Sequence, residues 1–179
     1  MTIVSKDDAL AAYALLVRHW APRLNLVAEG DLDRFEERHI ADSLRALPLV
    51  DSLPDGIAAD VGSGAGLPGI PLALAGRARP WRLIEPRSRR AAFLEECVRE
   101  LGLSCEVVNL SAERAALDPG LGSSHCVALA RALAAPAPAF RLLMPLLVPG
   151  GTAVAFLGPN VPPPPQAELW REGLAIMRR

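Results

Sequence analysis

The chain has 179 residues, 51% of them hydrophobic and 22% charged, with a formal net charge of −1. That length fits one globular unit, and high apolar content with near-zero net charge excludes intrinsic disorder. The most apolar stretch, Phe140–Phe156, is broken by Pro145, Pro149, Gly150 and Gly151, which argues against a membrane span of about 20 residues.

Asp7 and Asp8 stand where a secretory leader would need a cationic and then an apolar run. The three cysteines (Cys97, Cys105, Cys126) show no metal-ligand spacing. A cytoplasmic protein with free thiols and no metal is expected. The basic residues are 18 arginines and one lysine, Lys6, a bias to which no function is attached. Near neutrality argues against whole-surface attraction to nucleic acid, though not against a local patch.

Ser5 and Asp8 read as a capping box opening a helix. Leu10, Tyr13, Ala14, Val17 and Trp20 form its apolar face, and Pro22 is expected to stop it. Asp31 caps an expected second helix running to about Leu47. From Gly56 the period changes. Expected strands Ile57–Val61, Trp81–Glu85, Cys105–Asn109, His125–Leu129 and Thr152–Leu157 alternate with expected helices Leu67–Ala75, Ser88–Leu101, Ala112–Leu117 and Ala137–Leu147. That alternation predicts an α/β doubly wound, mostly parallel sheet with an N-terminal helical extension. The expected layout is 1–50 for the extension, 51–160 for the sheet domain, and 161–179 for a proline-rich spacer and a terminal helix.

The most informative segment is Asp60-Val61-Gly62-Ser63-Gly64-Ala65-Gly66-Leu67-Pro68-Gly69, between the first strand and the next helix. Glycines let such a turn approach a ligand closely, because no Cβ intervenes. A dinucleotide fingerprint, Gly-x-Gly-x-x-Gly, fits poorly. From Gly62 its third glycine falls on Leu67, and from Gly64 the turn begins too far from Asp60. The spacing Asp-x-Gly-x-Gly-x-Gly resembles instead the first motif of class I S-adenosylmethionine (SAM) methyltransferases. Glu85, ending the second strand, is placed to accept hydrogen bonds from ribose hydroxyls. The plainer reading is a glycine-rich turn beside a solvated glutamate; turn and acid together favour a cofactor.

Asp60–Leu74 further resembles the signature of the bacterial glucose-inhibited-division B family, the 16S ribosomal RNA guanine-N7 methyltransferases. Four more segments are similar to that family: Trp20–Leu26, Arg38–Leu44, Glu85–Arg90 followed by Phe93-Leu94 (in the Glu-Pro form associated with actinobacterial members), and Ala128–Ala134. The resemblance implies Asp60, Gly62, Gly64 and Leu67 on the cofactor, Glu85 on its ribose, and Ala112 and Glu113 beside its adenine. It implies Arg131 at the rim of the active site, and Asn25, His39 and Asp42 facing the target base. S-adenosylhomocysteine would be the product, and 16S rRNA or the small ribosomal subunit the partner. Taken on spacing alone, Arg38 and Asp42 are an ordinary i,i+4 pair and His39 a packing residue.

Three departures stand out. The family's lysine after the fifth strand is Leu157 here, the arginine before Ala-Glu is Ser111, and nothing after Pro165 matches the family's closing antiparallel hairpin. The expected sheet therefore ends at Thr152–Leu157, an apolar edge to be covered by the terminal helix or by a second subunit in a homodimer. Any RNA contact is expected from the arginines at 77, 79, 82, 87, 89 and 90. Two alternatives stay open: a methyltransferase for a small molecule or peptide, and a SAM-binding module without activity.

Overall fold

The computed structural model describes residues 5–179. Helix α1 (Lys6–Leu24) opens on the expected capping box. Asp8 N–H donates to Ser5 Oγ (3.1 Å), and Ser5 N–H donates back to the Asp8 carboxylate (3.3 Å). It runs through Pro22 and ends at Asn25, whose left-handed backbone (φ 50°) returns its N–H to Ala21 O. A proline inside a helix costs about 3 kcal/mol. Tyr13, Ala14 and Val17 are fully buried, and burying a side chain the size of valine contributes roughly 1.5–3 kcal/mol. The helix therefore outlasts its proline.

The expected second helix is interrupted. A single tight turn at Glu29–Asp31 precedes a wide turn, Glu36–Ile40, closed by Ala41 N–H to Glu36 O, five residues back. Helix α2 (Ala41–Leu44) continues directly from it. A separate α3 (Leu47–Ser52) restarts with Pro48 in its first turn, where a missing N–H does no harm.

Strands and helices then alternate: β1 (Ala58–Val61), α4 (Gly69–Ala75), β2 (Trp81–Ile84), α5 (Ser88–Leu101), β3 (Cys105–Val108), α6 (Ala112–Leu117), β4 (His125–Ala130), α7 (Pro136–Leu143) and β5 (Leu147–Phe156). All five strands run parallel, with Asp60 level with Leu83 on β2 and Leu129 on β4. Alternate residues serve opposite layers. Ala59, Val61, Ile84, Ala128 and Ala153 pack with α6 and α7, while Leu83 packs with α1 and α5. Ala58, Leu129 and Val154 pack with α3 and Leu72 of α4.

The closing hairpin is present, which corrects two expectations. β6 (Glu168–Trp170) and β7 (Leu174–Arg178) are strands, so the terminal helix does not form. The order is β3-β2-β1-β4-β5-β7-β6. β7 lies antiparallel to β5, pairing Thr152 with Arg178 and Phe156 with Leu174. Gly150 N–H donates to Arg179 O, and Arg179 N–H to Gly151 O (both 2.9 Å). The physical reason is burial on both faces: Leu174, Ala175 and Ile176 are all buried, so the segment lacks the in–out alternation that marks a strand. With β5 covered by its own chain, the motive for a dimer across that edge disappears. At this end of the sheet the edge strand is β6, whose three residues are too short to template another strand effectively.

Candidate functional site

The glycine-rich loop leaves β1 and is tied to β2 by two bonds, from Gly62 N–H and Ser63 N–H to Ile84 O (2.8 and 3.1 Å). Tyr13 of α1 pins it from the helical side, donating to Ala65 O at 2.8 Å. Gly66 is the position that most requires glycine, with φ +97° and a Cβ that would fall 2.4 Å from Ile70 Cδ1, whereas Gly64 is uncrowded. The φ of Gly64 is +55°, and a Cβ there would make only ordinary contacts, at 3.8 Å from Arg90 Nη1 and Gly62 O. Gly64 N–H donates to Glu85 Oε2 (2.9 Å), and Arg87 N–H to Glu85 Oε1 (2.9 Å). Asn109, in the turn after β3, donates to Glu85 O (2.8 Å). Two backbone donors thus aim this carboxylate along the loop while each oxygen keeps accepting capacity.

Asp60, expected on the cofactor, is enclosed beneath the loop with no exposure. Its Oδ2 accepts from Gly69 N–H at 3.0 Å, whereas Oδ1 has no partner. Burial pushes its carboxyl up to about 7, with the bond from Gly69 opposing. Leu67 is likewise turned into the core with α1 and α5. Ala112 is nearly buried and Glu113 exposed at the start of α6, where Ser111 caps the helix by accepting from Arg114 N–H. Ser111 therefore has a local structural use in place of the arginine expected there.

Beyond the loop, a cleft of about 1130 Å³ opens past the C-terminal ends of β4 and β5, against α2 and the β6 edge. Arg131 follows β4 directly and organises one wall. Its Nε donates to Asp42 Oδ2 at 2.6 Å. Its Nη2 lies 2.9 Å from His39 Nδ1 and 3.4 Å from Arg38 O. The other oxygen of Asp42 sits 2.6 Å from Arg45 Nη2. Arginine only donates, so His39 Nδ1 must accept and its hydrogen is on Nε2, which faces Asp31 Oδ2 at 3.3 Å without an aligned bond. Asp31 also pairs with Arg38. Burial, and next the Arg131 charge, hold the His39 imidazole below its usual range and keep it neutral.

Of the four residues expected at the chemistry, His39, Asp42 and Arg131 come together and Asn25 does not. Asn25 is exposed at the end of α1 beside a separate hollow of about 330 Å³, and its carbonyl accepts from Arg90 Nη2 (2.6 Å). Leu157, in the lysine position, is turned inward and donates its N–H to Gly173 O. The arginine cluster is split along the length of β2. Arg77 and Arg79 lie at the opposite end of the strand, on Asp55 and on Val50 O, and Arg82 pairs with Glu106. Only Arg87, Arg89 and Arg90 stand on the loop side. Tyr13, Asp31, Arg45 and Asn109 are not legible as site residues in the sequence. Tyr13 and Asn109 act on partners distant in the chain, Ala65 and Glu85, while Asp31 and Arg45 act within the Asp31–Arg45 segment that Arg131 meets.

Comparison with known proteins identifies the family. The profile described as "rRNA small subunit methyltransferase G" matches residues 6–161. Proteins of that name are 43% identical over 153 residues in Acidiphilium cryptum and 37% over 165 residues in Dinoroseobacter shibae. These alignments cover 83% and 90% of this chain, and 67% and 81% of the relatives. A third, from Mycobacterium leprae, is 38% identical over 149 residues, and the chain spans 60% of its length. Among solved structures, a Corynebacterium glutamicum protein aligns with a TM-score of 0.61 at 16% identity, over 92% of this chain and 88% of its own. A Thermus thermophilus branched-chain polyamine synthase aligns at 0.58 and 17%, over 81% of this chain and 43% of its own. These likenesses are to the fold, which hosts more than one chemistry. With a Rossmann-like class I SAM-methyltransferase sheet and a profile match over most of its length, the chain belongs to the rRNA small subunit methyltransferase G family.

Proposed function

We propose that the chain binds SAM along the glycine loop and Glu85 and transfers its methyl group to N7 of a guanine in 16S rRNA. The observation that carries this reading is the pairing of Glu85 with Gly64. An acid aimed by backbone N–H groups lies beside a half-buried loop glycine around which nothing is crowded. The arrangement fits the cofactor: Glu85 retains capacity for ribose hydroxyls, and Gly64 offers close backbone approach. Ala112, at the start of α6, would flank the adenine.

Bound SAM supplies a sulfonium whose methyl carbon is electrophilic and whose sulfur leaves as a neutral thioether, S-adenosylhomocysteine. Guanine N7 carries a lone pair and no proton, so none of the side chains here has to act as a general base. With SAM bound, transfer to N7 would exchange the sulfur–carbon bond for a nitrogen–carbon bond and leave the positive charge on the base. The task of the protein is alignment, which is a large part of any bimolecular acceleration. Asp42 already has both oxygens on Arg131 and Arg45, so it positions arginines rather than touching the base. Among the described residues no helix is long and apolar enough to cross a membrane. An rRNA substrate places the reaction in the cytoplasm.

Isothermal titration with S-adenosylhomocysteine tests the first half. The wild type should bind, and Glu85→Ala should lose at least about tenfold, the worth of one charge-assisted bond. Incubation with small ribosomal subunits and with bare 16S rRNA, followed by nucleoside mass analysis, tests the second half. 7-Methylguanosine is the expected product. Binding without transfer to either RNA would return the chain to the small-molecule or inactive alternatives.

A further inference from the structure

Arg131 lines the cleft with its Nε and Nη2 donors already assigned. Nε is on Asp42, and Nη2 is shared between His39 Nδ1 and Arg38 O. Among the described residues Nη1 alone has no hydrogen-bond partner, and Arg131 lines the cleft. The side chain is anchored on one side by a carboxylate that a second arginine also holds, and on the other by an imidazole whose tautomer is fixed. Its neighbourhood is the glycine loop: a Cβ on Gly62 would fall 2.6 Å from Leu133 Cδ1, two residues beyond Arg131.

An arginine meeting the exposed edge of guanine ordinarily uses two donors at once, one on O6 and one on N7. A donor on N7 would engage the lone pair that must attack the methyl group. An enzyme acting at N7 therefore needs a cation that reaches the 6-oxo group with a single donor and leaves N7 bare. The clamp on Arg131 occupies Nε and Nη2, so neither two-nitrogen edge of the guanidinium is open to a base, and it leaves only the terminal Nη1 group.

We infer that Arg131 is the specificity-determining residue for the acceptor base: through Nη1 it reads the 6-oxo group of a purine, while Asp42 and His39 act as positioning residues that withhold its other donors. The inference rests on the reading of the chain as a guanine-N7 methyltransferase. It makes the 2-amino group dispensable and the 6-oxo group essential. Adenine, which presents an amino group at position 6, would meet donor with donor.

The test uses small ribosomal subunits reconstituted with 16S rRNA whose methylated guanine is replaced, by splint ligation, with inosine or 2-aminopurine. Inosine keeps the 6-oxo group and 2-aminopurine lacks it; both keep N7. The wild-type enzyme should methylate inosine within about threefold of guanine and discriminate against 2-aminopurine by roughly 10–100-fold beyond intrinsic reactivity, the scale of one good base contact. In Arg131→Met the guanine rate should fall by that factor and the 2-aminopurine rate should stay, so the ratio between them collapses. Comparing ratios between the two enzymes cancels the different intrinsic nucleophilicity of the bases. His39→Asn, which retains an acceptor near the Nδ1 position, should preserve most of the ratio. Retained S-adenosylhomocysteine binding reports that each variant is folded.

A wild-type enzyme that treats 2-aminopurine like guanine would overturn the inference while leaving the methyltransferase reading intact. So would an Arg131→Met enzyme in which both rates fall together with a raised KM, the signature of a lost phosphate contact. Absence of transfer to any of the three purines would remove the reading and the inference together.

Discussion

Asp60 offers the sharpest physical prediction, because its carboxyl is enclosed, half-satisfied and raised to about 7 from an ordinary 3.8. In the unfolded chain the group ionises near 3.8, while in the folded chain it holds its proton to about 7. Between those values the folded state binds more protons than the unfolded state. This contribution to stability is therefore fully present below about pH 4, is lost as pH rises through 7, and is flat above. Each pH unit between the two values is worth about 1.4 kcal/mol, giving roughly 4 kcal/mol across the window and about 2–3 kcal/mol between pH 5 and 8. Asp60→Asn keeps the shape and an acceptor for Gly69 N–H, but never ionises. Its amide leaves one buried N–H₂ group unpaired, a cost of about 1–3 kcal/mol that does not vary with pH. Urea unfolding of both proteins at pH 5, 6, 7 and 8 should show the variant gaining about 2–3 kcal/mol on the wild type across the series. Histidines common to both proteins cancel in that difference. Parallel stability profiles from pH 5 to 8 would refute the claim that Asp60 is forced toward neutrality by burial.

Three further outcomes follow from the geometry. Gly64→Asp places a charged side chain in the space beside the Glu85 carboxylate and should abolish S-adenosylhomocysteine binding, while Gly64→Ala, with no atom within 3.8 Å of its Cβ, should lose only about 1 kcal/mol of stability to its left-handed backbone; titration and urea melts separate the two. Protonation would turn His39 Nδ1 from acceptor to donor against Arg131, with Arg38 opposing it and Asp31 favouring it. The kcat profile should therefore fall on the acid side, below the usual histidine range, and His39→Asn should flatten that limb. Leu174→Ala in the fully buried start of β7 should cost about 2–5 kcal/mol in urea unfolding; a loss under 1 kcal/mol would mean that β7 contributes little to the sheet.

What could be read in the sequence was whatever local chemistry enforces. Ser88–Leu101 and Ala112–Leu117 fold over the expected residues, because a broad apolar stripe and a serine cap act within a few turns. The glycine loop and Glu85 were visible for the same reason, since close approach and left-handed backbone demand glycine. The hairpin was not. Ala167, Trp170, Leu174 and Met177 recur at helical spacing, and only pairing with β5, some 20 residues earlier, converts that run into a strand buried on both faces. The arginine cluster misled in the opposite way: neighbours in sequence are carried to opposite ends of a strand. The clamp on Arg131 joins residues about 90 positions apart, a separation over which no motif in one sequence specifies a contact.

The wide turn at Glu36–Ile40 leads directly into α2 and acts there as a one-residue insertion. An α-helix advances about 100° per residue, so everything after the extra residue is rotated by that angle relative to a regular helix built on the same start. Asp42 lies just downstream, and its bearing on Arg131 depends on that offset. Deleting one exposed residue, such as Glu37, would let the segment relax to ordinary α geometry and swing the carboxylate about a quarter-turn away. The helix carries its site as a phase as much as a set of side chains, and a single-residue deletion could silence it with every residue of the clamp still present.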